Sequence, residues 1–245
     1  MAEAVNLKTR MPVDRWWQRL GFWLIPARCL LCGGVGQPAR DLCAACSADL
    51  EPNLTACACC GLPLPLAAAA CGRCLKRRPA FEATWAPLRY TPPLTGLMTR
   101  FKFAGDLAAG RVLAEVALDH WRRAPPALPE ALLPVPLHAA RLRERGYNQA
   151  LELARPLALA SGVSLLPDSL LRLRETPAQS GLSALARRRN LRGAFTVRKG
   201  VALPRHVAVV DDVMTTGATA QECALVLRRA GAARVDIWAI ARAPL

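Results

Sequence analysis

Two adjacent carboxylates at the end of an apolar run, followed by hydroxyls and a glycine, are the residues most suited to chemistry in this chain. The stretch reads His206-Val-Ala-Val-Val-Asp211-Asp212-Val213-Met214-Thr215-Thr216-Gly217-Ala218-Thr219. Val207 to Val210 predict a short buried strand, and residues 218–230 predict a helix. A turn between them is an anion site, because its N–H groups converge and the helix dipole adds positive potential. Thr215, Thr216 and Thr219 add hydroxyl donors. Gly217 removes the side chain that would hold a phosphate at a distance. Asp211 and Asp212 stand at a strand's carboxyl end, where open α/β sheets bind ligands. Two acids would repel a bare polyphosphate but suit a sugar phosphate, whose hydroxyls need acceptors.

A second constellation is metallic. Four Cys-x-x-Cys knuckles, Cys29/Cys32, Cys43/Cys46, Cys57/Cys60 and Cys71/Cys74, each begin 14 residues after the last. Two cysteines three apart on a tight turn can reach one tetrahedral ion, and two such turns complete a Cys₄ zinc site. Eight thiolates therefore imply two structural zinc ions. Gly33, Gly34, Gly61 and Gly72 are expected to supply turn geometry. Disulfides would need an oxidising compartment, and the start shows no signal-peptide pattern. A redox Cys-x-x-Cys is usually single. Consecutive knuckles make the simpler pairing, with crossed pairing open. Cys59 receives no role, and Cys223 is expected in the core.

Arginines form the third feature. Arg141 and Arg145 follow a strand expected at 131–137 that Pro134 and Pro136 interrupt. They suit a pyrophosphate, which accepts forked hydrogen bonds, but a solvated basic turn fits equally. Arg172 to Lys199 holds eight basic residues and one acid, fitting either a lid over a polyphosphate or a strip for a nucleic-acid backbone.

The elements that must position these groups follow from periodicity. Residues 1–25 form an N-terminal segment in which Trp16, Trp17, Leu20, Trp23 and Leu24 fall near helical spacing. A short packing helix is the simpler reading there, a membrane-surface helix the other. Residues 26–78 form the zinc module and 80–245 a larger domain. Strands are expected at 85–90, 131–137, 194–197 and 235–240. Helices are expected at 94–103, which carries Lys102, and at 107–121, 148–160 and 182–191. Pro156 is expected to kink or split the third of these. Alternation of strands and helices predicts an α/β fold, a largely parallel sheet flanked by helices. Apolar residues make up 53% of the chain, which excludes a disordered class. No apolar run reaches membrane-spanning length, and a cytoplasmic location is expected. A formal charge of +15 favours anionic ligands; counting eight thiolates and two Zn²⁺ leaves about +11.

The strand, paired acids and Thr/Gly turn resemble the signature of the type I phosphoribosyltransferases. That resemblance implies that Asp211 and Asp212 hold the ribose hydroxyls of phosphoribosyl pyrophosphate (PRPP). It also implies that Val213 to Thr219 hold its 5′-phosphate, with Mg²⁺ present. The order of motifs resembles the ComF family (competence protein F and GntX-like proteins) more closely. The knuckles come first, then Phe101-Lys102-Phe103, then Val135-Pro-Leu137 with Arg145-Gly-Tyr-Asn-Gln149. Thr176…Gln179, Arg187-x-x-Asn190 and Ala194-Phe195 lead to the Asp-Asp turn. The family implies a double zinc ribbon on a phosphoribosyltransferase-like domain, with Lys102, Arg141 and Arg145 near substrate. It implies a role in DNA uptake during natural transformation, with single-stranded DNA and a helicase-like competence protein as candidate partners. A non-catalytic, DNA-binding accessory is the alternative. Purine-salvage relatives usually place an Asp where Thr215 stands, and Thr215 cannot act as that base, so the turn alone does not support purine salvage.

Overall fold

The structure, a computed structural model, describes residues 27–175 and 191–244. The expected helices at the N-terminus and at 182–191, and the motifs Thr176…Gln179 and Arg187…Asn190, lie wholly or almost wholly outside the described residues. The chain divides into two compact units, Met1–Asp49 and Leu50–Leu245.

The smaller unit is built on the first two knuckles and carries one helical turn, α1 (Ala44–Ala48). The larger unit begins with the other two knuckles and the short α2 (Gly72–Lys76). It continues through β1 (Thr84–Trp85), β2 (Leu88–Arg89), α3 (Leu94–Phe103), α4 (Leu107–Arg123), β3 (Ala131–Pro134), α5 (Ala139–Arg145) and α6 (Gln149–Ser161). It ends with β4 (Ser164–Leu165), β5 (Leu170–Arg172), β6 (Phe195–Val197), β7 (His206–Met214), α7 (Ala218–Arg229) and β8 (Arg234–Arg242).

The main sheet runs β1-β8-β7-β3-β4, with β2 also on β8, and every pairing in it is parallel. Parallel neighbours need crossovers, and α4, α6 and α7 supply the packing that such crossovers bring. Both faces are covered, so β7 and β8 are apolar on successive residues rather than alternating. Leu133, Val207, Val209, Val235 and Ile237 share one core with Cys223, Ala224 and Leu227 of α7. Their sequence neighbours Leu132, Ala208, Val210 and Trp238 are equally buried. Beside the main sheet, β5 and β6 pair antiparallel. Gly110 lets α4 lie against α3, since a Cβ there would come within 2.4 Å of the Phe101 ring.

Several expectations change. The strand that was to end at Val210 runs on through both acids to Met214. The strand expected at 85–90 divides into β1 and β2 around Ala86-Pro87, because proline has no N–H for the ladder. The strand expected at 131–137 ends at Pro134; the Val135 N–H still bonds the Val210 carbonyl at 2.9 Å, and Pro136 brings no N–H to carry the ladder further. The helix at 149–161 continues past Pro156. The basic turn after His138 is the helix α5, which begins on His138 and ends at left-handed Gly146. Gly72 opens α2 rather than forming a turn.

Candidate functional site

The cysteines form two consecutive quartets, Cys29/Cys32/Cys43/Cys46 and Cys57/Cys60/Cys71/Cys74, with all four sulfurs of each within 4.8 Å of one another. A zinc–sulfur bond of about 2.3 Å places tetrahedral sulfurs about 3.8 Å apart. Cys32–Cys43 is 3.8 Å, Cys60–Cys71 3.7 Å and Cys57–Cys74 4.0 Å. The cysteine positions therefore fit two tetrahedral zinc ions. Backbone N–H groups point at sulfur as they do in zinc knuckles: Cys46 N to Cys43 Sγ at 3.4 Å, and Cys71 N to Cys57 Sγ at 3.1 Å. Around the second quartet, Thr84 Oγ1 donates to the Cys59 carbonyl at 2.8 Å and Asn53 Nδ2 to the Gly61 carbonyl at 2.9 Å. Cys59 itself is buried, which pushes its thiol pKa up.

The paired acids stand at the carboxyl end of β7, the central strand. Each takes the next N–H: Asp212 N donates to Asp211 Oδ1 at 2.9 Å, and Val213 N to Asp212 Oδ1 at 2.6 Å. Asp212 is buried, and Lys102 Nζ of α3 reaches its Oδ1 at 2.9 Å. Its other oxygen, Oδ2, is buried with no hydrogen-bond partner. Asp211 is partly exposed, yet burial of its carboxyl and the charge of Asp212 push its pKa up to about 7. Burial disfavours the Lys102 ammonium, but Asp212 and then Asp211 outweigh it and raise its pKa.

The turn follows directly. Thr215, Thr216 and Thr219 are half-buried, and Gly217 is left-handed with φ +78°. The N-cap of α7, Gly217, has no side chain to cap the helix, and the Ala218 N–H meets Thr216 Oγ1 at a long 3.4 Å. Asp211 and the turn line one small recess of about 20 Å³. Val213 and Met214 lie in the strand and are buried.

The arginines divide. Arg145 donates to Gln149 Oε1 at 2.7 Å and stacks 5.6 Å over Phe103, next to Lys102. Tyr147, two residues on, donates to the Phe101 carbonyl and joins α3 to the α5–α6 connection. Arg141 comes within electrostatic range of Arg172 on β5. Neither Arg141 nor Arg145 makes a described contact with residues 215–219. Two residues were not singled out from sequence. Arg172 acts on Asp211, lowering its pKa against the larger opposing effects. Arg242, the last residue of β8, is buried and hydrogen-bonded to the turn's backbone. The surplus of arginine near 172 was visible, but no local signal marked Arg242. A cleft of about 670 Å³ also borders the turn, lined by Arg73, Arg77, Arg78, Arg192, Arg229 and Gly217 among others. Among the described residues, no helix is long and apolar enough to cross a membrane.

Two Cys₄ clusters ahead of a parallel α/β sheet, with paired acids at the end of its central strand, define a double-zinc-ribbon α/β protein. The family described as double zinc ribbon domain matches residues 21–75. Competence protein F of Haemophilus influenzae is 38% identical over 223 residues, 88% of this chain and 97% of that protein. The DNA utilization protein YhgH of Escherichia coli strain K12 is 35% identical over 237 residues, 95% of this chain and 94% of that protein. The chain belongs to the competence protein F family. A glutamine PRPP amidotransferase structure from B. subtilis shares 21% identity over 54% of this chain and a quarter of its own length (25%), at a TM-score of 0.34, too loose a likeness to bear on function.

Proposed function

We propose that the chain binds PRPP at the carboxyl end of β7 and transfers its phosphoribosyl group. One observation carries this reading. An acid pair, Asp211 partly exposed and Asp212 buried and held by Lys102, leads without interruption into a helix start whose N-cap is the left-handed Gly217. In this reading the turn's N–H groups and Thr215, Thr216 and Thr219 fix the 5′-phosphate, and that remote binding positions the reacting carbon. Asp211 and Asp212 accept hydrogen bonds from the ribose hydroxyls. As the C1′–pyrophosphate bond breaks, their negative charge favours the cationic ribose. Arg141, Arg145 and Arg172 offer forked donors to the departing pyrophosphate. Carboxylate oxygens are the ligands a hard cation takes, and the unpartnered Asp212 Oδ2 fits that need. Mg²⁺ bound there with PRPP would supply charge neutralisation. Relatives named for competence and DNA utilization support a role in handling DNA during uptake.

The test is ligand-induced stabilisation. PRPP with Mg²⁺ at about 100 times its Kd adds about 2.7 kcal/mol to unfolding. That gain should vanish when Asp211→Asn and Asp212→Asn are combined in a variant that still folds. An equal gain in wild type and variant would refute the site.

The arginine-lined cleft favours a second reading, a non-catalytic grip on single-stranded DNA. Affinity for an oligonucleotide would then fall steeply with salt, as each neutralised phosphate releases counterions. Reversing the charges of Arg77, Arg78 and Arg229 would flatten that dependence. A flat dependence in the wild type would remove this reading.

A further inference from the structure

Arg242 is 1% exposed, one of the largest fully buried side chains in the protein. Its Nε donates to the Cys60 carbonyl at 2.9 Å, in the second zinc knuckle. Its Nη1 donates to the carbonyls of Met214 at 3.0 Å and Thr215 at 2.5 Å, where β7 leaves the sheet for the turn. A further bond at 2.6 Å reaches the Ala243 carbonyl. These four acceptors are backbone carbonyls, the Cys60 sulfur also acts on the guanidinium, and among the described residues no carboxylate pairs with it. A buried cation without a counter-charge is costly. Four thiolates and one Zn²⁺ carry a net charge of about −2, and a filled second quartet would place that charge beside Arg242. Cys60, Met214 and Arg242 also line the same cleft, so the two ends of this link share one wall.

We propose that Arg242 is a positioning residue that couples zinc in the second quartet to the conformation of the phosphate turn. The proposal rests on reading that turn as the PRPP 5′-phosphate site. With zinc bound, the Cys57–Cys60 turn is fixed, the Cys60 carbonyl holds Nε, and the opposite edge of the guanidinium draws in the carbonyls of 214 and 215. Their peptide planes are then set, which directs the following N–H groups toward one point. Without zinc, the knuckle loosens and Arg242 loses both its hydrogen-bond anchor and its counter-charge. Linkage makes the effect reciprocal: a ligand that needs the ordered turn must tighten zinc in the second quartet by the same factor.

Amide hydrogen exchange across residues 215–219 of the full chain reads the turn without any ligand. Cys74→Ser, which empties the second quartet, should speed that exchange about tenfold or more. Cys46→Ser, which empties the first quartet, should leave it unchanged. Arg242→Met, with both zinc ions retained, should exchange as fast as Cys74→Ser, and combining the two should add little. Arg242→Lys keeps the charge but loses the fork, and should fall between wild type and Arg242→Met. Wild-type exchange in Cys74→Ser, or fully additive effects of Cys74→Ser with the Arg242 variants, would overturn the proposal. If Arg242→Met does not fold, Arg242→Lys and the Cys74→Ser/Cys46→Ser comparison decide. PRPP with Mg²⁺ should also slow chelator-driven zinc release from the second quartet several-fold, and this effect should disappear in Arg242→Lys. Absence of PRPP binding to the wild type would remove the phosphate reading, while the exchange experiment would still decide the coupling.

Discussion

The two cysteine quartets share a spacing and a sulfur geometry but differ in what surrounds them. In the first, Cys29 is buried while Cys32 is exposed and Cys43 and Cys46 are half-exposed. Short backbone bonds such as Cys29 N to the Gly34 carbonyl at 2.8 Å hold its turns. In the second, Cys57, Cys71 and Cys74 are buried with Leu62 and Leu64 packed against them. Thr84, Asn53 and Arg242 bond its backbone to the sheet. One motif therefore serves two ends. The first quartet staples a small unit in which few described side chains are buried, Leu42 and Cys29 among them, and small domains commonly need such a staple. The second is part of the footing of the large domain.

The strongest way to break this comparison is to empty each quartet separately. Structural zinc contributes on the order of 10 kcal/mol to the segment it folds. Cys74→Ser should therefore lower the melting temperature of the Leu50–Leu245 unit sharply in calorimetry, while Cys46→Ser should leave that transition in place. Equal effects would erase the distinction. Next in size is the acid pair that the footing supports. Lys102→Ala leaves Asp212 buried without its cation and should cost about 3–5 kcal/mol in denaturant unfolding. Adding Asp212→Asn should restore much of that loss.

A pH slope follows from Asp211. Its folded pKa of about 7 lies above its ordinary value of 3.8. Between those values the native state keeps a proton that the unfolded chain has released, so stability falls as pH rises from about 4 to 7. Asp211→Asn should remove that part of the slope in pH-dependent melting; an unchanged slope would place the titration elsewhere. The smallest effect sharpens the comparison most finely. Thr84→Val removes the hydroxyl bond to the Cys59 carbonyl and should cost about 1 kcal/mol. Competition with a chelator should show that loss in zinc affinity at the second quartet and none at the first.

Much of this was legible in the sequence, because its signals are local. Cysteines three apart and knuckles 14 apart announce zinc sites. The apolar run before Asp211 announces a central strand, and the turn after it a helix start. What was hidden depends on distant partners. The strand's extension to Met214 was not readable because two acids end the apolar pattern. The ladder nevertheless continues, with Val213 opposite Ala241 and Met214 opposite Arg242. Helix α5 has no buried residue and so no periodicity to detect; its bounds come from His138 and Gly146 alone. Arg242 looks like an ordinary basic residue near a chain end. Its acceptors lie 182 residues away at Cys60 and 28 away at Met214, a separation that no local pattern encodes.

The most direct measurement is calorimetric titration of the zinc-loaded protein with PRPP and Mg²⁺, beside the Asp211→Asn/Asp212→Asn variant. Saturable binding to the wild type, lost in a folded variant, is the predicted result. No binding to the folded, zinc-loaded wild type, or equal binding to both proteins, would contradict a PRPP site at the end of β7.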